Sequence, residues 1–218
     1  MSKRPVWLFP AIAFAAALAL GGVLASAVIS RGGSDAAVSA GGVRVSGEAQ
    51  IGGPFELVNQ DGETVTDETY RGKAMLIYFG FTYCPDVCPM SLQIMDAALG
   101  QLSAEERARI QPLLISVDPE RDTPQSLKAY VESDAFPEGL QGLTGTPEQV
   151  RAAAQAYRVY YARVEDDGVS SEYTVDHSSL IFLMDQNGAF ADVFPHGTAP
   201  AQIASRLQQF LEENPGQS

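Results

Sequence analysis

Cys84 and Cys88 are the only cysteines in a chain of 218 residues, and both fall in one short stretch, YFGFTYCPDVCPMSL, with a proline after each. Two thiols at that spacing suit three kinds of chemistry: a structural bridge, a redox pair, or part of a metal site. A bridge natural to an oxidising compartment would close a loop over only three intervening residues, where the chain-entropy gain is small. Pro89 suits a first helical turn and disfavours helix in the residue before it, so Cys88 is expected at or near a helix cap, with 84–88 as a loop. Positions four apart in a regular helix hold their Cβ atoms about 5–6 Å apart, beyond the ~3.8 Å of a disulfide, whereas a loop closes that distance. A helix N-terminus favours negative charge and lowers a thiol's pKa, which prepares thiolates to attack a disulfide or grip a soft cation. Asp86, between the two, opposes bare thiolates but assists a bound cation.

Two thiolates rarely complete a protein metal site, and the chain has two histidines from which to draw a third donor, His177 and His196. His177 stands in EYTVDHSS, directly before the apolar run LIFLM. A loop at that place can lie beside the cysteine loop, which makes Cys84, Cys88 and His177 the candidate metal ligands. Two thiolates and an imidazole suit Cu(I) or Cu(II), and Zn(II) with an open fourth position accepts the same donors. The plainer reading of His177 is a core or loop histidine bonded to the backbone, and His196, in FPHGTAP, is expected in a surface loop. The same cysteines would be the catalytic pair of a thiol–disulfide oxidoreductase, one attacking and the other resolving. Such a reaction needs no distant histidine, and thioredoxin-type motifs place two residues between the cysteines, not three.

The elements that must position these groups are legible in the apolar patterning. FELVNQDGETVT, residues 55–66, holds two short runs around Asp61-Gly62 and reads as a β-hairpin. MLIYFGF (75–81) and LLISV (113–117) are near-continuous apolar runs, as strands buried on both faces are. Helical patterns cover Pro89 to Leu102, Thr123 to Ser133 and Thr146 to Tyr160, the first with Leu92, Met95, Leu99 and Leu102 at spacings of three and four. Ser179 to Phe194 reads as a second hairpin around Asn187-Gly188, and Ala199 to Glu213 as a closing amphipathic helix. Strands alternating with helices and ending in an antiparallel hairpin define an α/β class with a mixed central sheet. The order matches a thioredoxin-like fold, with Cys84 where a central strand hands over to a helix.

Pro5 to Ser30 carries no charge and follows Lys3 and Arg4, and about 20 apolar residues suffice to cross a bilayer. Residues 1–31 are therefore expected to form an N-terminal transmembrane helix with its start in the cytoplasm. The stretch exceeds a usual h-region, although Ala25-Ser26-Ala27 also reads as a signal cleavage site. Residues 32–53 are rich in Gly, Ala and Ser and read as a flexible linker, which leaves 54–214 as the folded domain. All 27 acidic residues but only 11 of the 14 basic ones lie beyond Arg31. That balance argues against nucleic acid or anionic lipid and is compatible with a cationic protein or a metal ion.

The run Gly80-Phe81-Thr82-Tyr83-Cys84-Pro85-Asp86-Val87-Cys88-Pro89 resembles the signature of the Sco/SenC family, copper-binding assembly factors of cytochrome c oxidase. Ser116-Val117-Asp118-Pro119-Glu120-Arg121-Asp122-Thr123-Pro124 resembles the family's second block, and Tyr173-Thr174-Val175-Asp176-His177-Ser178 its histidine block. The resemblance spans roughly Pro54 to Leu211. It implies that Cys84, Cys88 and His177 bind one copper ion. The copper would be supplied to the binuclear centre of cytochrome c oxidase subunit II, or that subunit's cysteines would be reduced instead. Partners implied are that subunit and another copper chaperone or a thioredoxin-like reductant. The place is the bacterial inner membrane, with the soluble domain in the periplasm. Asp118 and Asp176 would support the ligands or meet a partner. Peroxiredoxins share the fold but carry a threonine three residues before the reactive cysteine, where this chain has Phe81 and places Thr82 one residue late.

Overall fold

The computed structural model describes residues 51–165 and 173–215. The opening hairpin is present: β1 (Glu56–Asn59) pairs antiparallel with β2 (Thr64–Thr66). Gly62 turns the chain with φ +82°, which a side chain would resist. A single 3-10 turn, Asp67–Tyr70, leads to β3 (Ala74–Gly80), whose seven residues are all buried. Helix α1 (Val87–Leu99) follows the cysteine loop, and the short α2 (Ala104–Ala108) is held by a Ser103–Glu106 capping box.

Next come β4 (Ile110–Ser116), α3 (Pro124–Val131), β5 (Gln141–Thr144) and α4 (Pro147–Ala156). Both α3 and α4 start with a threonine cap followed by proline at the first helical position. The chain closes with β6 (Tyr161–Glu165), β7 (Tyr173–His177), β8 (Leu180–Met184), β9 (Phe190–Pro195) and α5 (Pro200–Glu213).

Seven strands form one sheet in the order β2-β1-β5-β4-β3-β8-β9. β3 pairs parallel with β4 and antiparallel with β8, so the sheet is mixed, as expected. Lying between two neighbours and covered on both faces, β3 needs apolar side chains at every position, and MLIYF has them. β6 and β7 form a separate antiparallel ribbon, with Tyr161 opposite His177.

Several elements depart from the sequence expectations. Helix α1 starts at Val87 with Asp86 as its cap residue, so the loop ends before 88, while Cys88, near the cap as expected, sits inside the first turn. The pattern read to Tyr160 stops at Ala156, because Arg158 takes φ +57° and Val159 N–H closes onto the Ala154 carbonyl at 2.8 Å. This is a Schellman closure with a non-glycine residue in the left-handed position. His177 ends a strand and does not sit in a free loop. The transmembrane segment expected over 1–31 and most of the linker lie outside the described residues. Among those described, no helix is long and apolar enough to cross a membrane.

Candidate metal centre

The cysteine loop is drawn in at the C-terminal end of β3. Gly80 lets that strand pass close to the site: a Cβ there would stand 2.7 Å from Tyr78 Cε1 and 2.9 Å from Cys88 Sγ. Cys84 N–H bonds the Phe81 carbonyl at 3.3 Å and turns the chain back toward α1. The first turn of a helix leaves backbone donors without partners, and here Cys88 N–H donates to Cys84 Sγ at 3.3 Å. Cys84 thus does with sulfur what a capping oxygen does elsewhere, and a thiolate suits that place.

Both cysteines are free thiols, Cys84 partly exposed and Cys88 fully buried. Their proton affinities are driven apart. The hydrogen bond from the Cys88 thiol holds Cys84 down to about 4, with further support from the backbone N–H groups of Cys88 and Asp86. The same bond, burial and the Cys84 charge push Cys88 upward. The pair therefore releases one proton readily and holds the other tightly. The Asp86 backbone amide favours the thiolate.

His177 closes the triangle. Its Nε2 lies 3.3 Å from Cys88 Sγ, and its Nδ1 is 3.3 Å from the Ser178 carbonyl. That carbonyl can only accept, so Nδ1 carries the proton and Nε2 turns its lone pair toward the sulfurs. Tyr78 and Phe81 meet the imidazole edge-on, with centroids at 6.0 and 5.8 Å. Tyr78 also donates its hydroxyl to Cys88 Sγ at 3.7 Å. The Cys84, Cys88 and His177 donor atoms all lie within 4.8 Å of one another. An ion at about 2.3 Å from sulfur and 2.0–2.1 Å from nitrogen needs donors roughly 3.5–4.5 Å apart, so the triangle admits one with shifts of a few tenths of an ångström. Two soft sulfurs and one imidazole suit copper and accommodate zinc.

His196 is exposed after β9, as expected, and its Nδ1 meets Ser91 Oγ at 3.2 Å. Asp176 is exposed, whereas Asp118 is buried against Arg121 and Tyr173. Thr82 donates its hydroxyl to Asp122 at 2.6 Å, which commits it away from the role a peroxiredoxin threonine plays. Sequence reasoning assigned no function to Gly80, Tyr78, Thr82, Arg121 or Asp122. All five sit in the cysteine stretch 78–92 or the block 116–124, but Thr82 meets Asp122 across 40 residues and Arg121 meets Tyr173 across 52.

A two-thiol, one-imidazole centre at the mouth of a mixed sheet defines a thioredoxin-like protein equipped for metal or disulfide chemistry. The SCO1/SenC family model matches residues 43–212, and the chain belongs to that family. It is 42% identical over 155 residues to the mitochondrial SCO1 homolog of Homo sapiens, covering 71% of this chain and 50% of the human protein. The chain spans about half the length of the curated mitochondrial relatives it matches. The crystal structure of Arabidopsis thaliana ScoI with copper bound superposes with a TM-score of 0.70 at 38% identity, over 75% of this chain and 99% of that one. BsSco, a member of the Sco family of cytochrome c oxidase assembly proteins in which a disulfide switch was identified, gives a TM-score of 0.54 at 26% identity, over 72% and 91% of the two chains.

Proposed function

We propose that this chain is a copper chaperone that carries one copper ion on Cys84, Cys88 and His177 and delivers it to the binuclear copper centre of cytochrome c oxidase subunit II. The observation that carries the reading is the convergence of the three donor atoms within 4.8 Å from two segments far apart in sequence. The copper-bound ScoI structure and the assembly role of the BsSco family support it. Copper is the cargo, so the site must release as well as bind. Cys84, partly exposed and already a thiolate, is the donor a recipient can reach. Cys88 and His177, held by Tyr78, Phe81 and the Ser178 carbonyl, form the fixed side. The chain's 1–31 segment serves as a single-pass anchor in the bacterial inner membrane, 32–53 as its tether, and 54–214 as the working domain on the periplasmic side.

The exposure and proton affinities of the pair also favour a second reading, a thiol–disulfide oxidoreductase. The Cys84 thiolate attacks one sulfur of a partner disulfide and expels the other as thiolate. Cys88 then loses its proton and attacks Cys84 sulfur, which forms the Cys84–Cys88 disulfide and frees the second partner thiol. Copper binding needs the reduced pair, so one protein can do both in turn.

The deciding experiment loads the reduced chain with one equivalent of copper and mixes it with the copper-free soluble domain of subunit II. Transfer of the metal, followed by copper content after separation, supports delivery. A loaded chain that transfers no copper, while the reduced, copper-free chain turns the subunit II disulfide into thiols and ends as the Cys84–Cys88 disulfide, assigns the reductase role instead.

A further inference from the structure

The ribbon that brings His177 to the site shares no ladder with the central sheet. Its C-terminal end runs directly into β8, but its other end, at Tyr173, needs a separate attachment. One turn supplies it. Asp122 N–H bonds the Asp118 carbonyl at 2.9 Å and closes residues 118–122 into a compact turn after β4. From that turn Arg121 pairs with the Asp118 carboxylate and donates to the Tyr173 carbonyl at 2.9 Å. The Tyr173 hydroxyl donates to Asp118 at 2.8 Å. The Arg121 and Arg163 guanidiniums each lie 3.7 Å from the Tyr173 ring centroid.

The same turn grips the cysteine loop. Asp122, with no exposed surface, accepts from Thr82 N–H at 3.1 Å, from the Thr82 hydroxyl at 2.6 Å and from Ser116 at 2.7 Å. Arg121 also stacks on Tyr83 at 4.7 Å and reaches the Phe81 ring at 5.8 Å. Thr82 is two residues before Cys84, and Tyr173 four before His177. Both attachments therefore act within four residues of a proposed metal donor.

We infer that Arg121 and Asp122 are positioning residues of the metal centre. Their turn fixes the cysteine loop and the histidine ribbon to one another, so that the three donors meet at a set spacing. The inference rests on the metal-binding reading. A mere stabilising role would lower stability without changing the site's spectrum or affinity, whereas a positioning role changes both in a folded protein. Buried, fully bonded carboxylates and stacked guanidiniums suit the second role because their geometry is directional.

The test uses the full chain, loaded with Cu(II), and three variants: Thr82→Val, Thr82→Ser and Arg121→Lys. Thr82→Val removes one bond to Asp122, Thr82→Ser keeps it, and Arg121→Lys keeps charge but loses the planar fork and stacking. Thr82→Val and Arg121→Lys are expected to bind copper about 10–100-fold more weakly, the range seen when groups supporting a metal ligand are removed. Their thiolate-to-copper bands should shift, with apo melting temperatures close to the parent's, while Thr82→Ser matches the parent throughout. Parent-like affinity and spectra in Thr82→Val and Arg121→Lys would overturn the inference, and so would losses that merely follow the apo melting temperature. A parent chain that shows no thiolate-to-copper band overturns the metal-binding reading itself, and the positioning role with it.

Discussion

His177 Nε2 stands 3.3 Å from Cys88 Sγ across 89 residues of sequence. With Nδ1 engaged by the Ser178 carbonyl, the imidazole offers that lone pair to whatever the sulfurs hold. Replacing His177 by alanine should weaken copper binding more than about 100-fold, since even groups that only support a ligand are worth 10–100-fold. Oxidation to the Cys84–Cys88 disulfide should proceed as in the parent. Competition titration and thiol counting check both halves, and an unchanged copper affinity would remove His177 from the ligand set.

The proton affinities of the two thiols predict a pH dependence. Cys84 is held down to about 4 when folded, against about 8.5 for a free thiol. Between those values the folded state holds fewer protons than the unfolded one, so stability rises with pH across the window and is lost as pH falls toward 4. Cys88, shifted upward, is protonated in both states below about 8.5 and adds no slope there. Denaturant melts of the reduced, metal-free chain should show the rise, and Cys84→Ser should flatten it. Alkylation should modify Cys84 first, at a rate nearly constant from about pH 6 to 8.

Gly80 has no room for a side chain. The added methyl of Gly80→Ala would press on the Tyr78 ring and Cys88 Sγ, and overpacking of this kind costs about 1–3 kcal/mol. Because the displaced atom is one of the proposed copper donors, copper affinity should fall along with the melting temperature. A variant that loses stability yet binds copper as tightly as the parent would show that Cys88 relaxes freely.

Arg158 carries a strain unrelated to the site. It is exposed, with φ +57°, at the end of α4, a conformation costing a non-glycine residue about 1–2 kcal/mol. After allowance for glycine's greater freedom in the unfolded chain, Arg158→Gly should stabilise the protein by up to about 1 kcal/mol. Chemical denaturation measures it, and copper binding should stay unchanged.

Much of this architecture was legible because its signals are local. Continuous apolar runs specify β3 and β4, Asp61-Gly62 and Asn187-Gly188 specify their turns, and Thr-Pro pairs open α3 and α4. The β6–β7 ribbon left no comparable trace. β6 alternates weakly and is largely exposed, and β7 becomes a strand only through pairing with it. β5, QGLT, is four residues long and owes its place to β1 and β4 on either side.

By itself the sequence determined the chemistry available: two thiols with three residues between them at a strand-to-helix junction, an imidazole elsewhere, and an acidic domain behind an apolar N-terminal segment. Only the tertiary structure decided which atoms meet. The bonds from Thr82 to Asp122, from Tyr173 to Arg121 and Asp118, and from His177 to Cys88 span 40, 52, 55 and 89 residues. Periodicity and turn signals act over a few residues, whereas contacts at such separations follow from strand order and from the packing that seats each element against its neighbour.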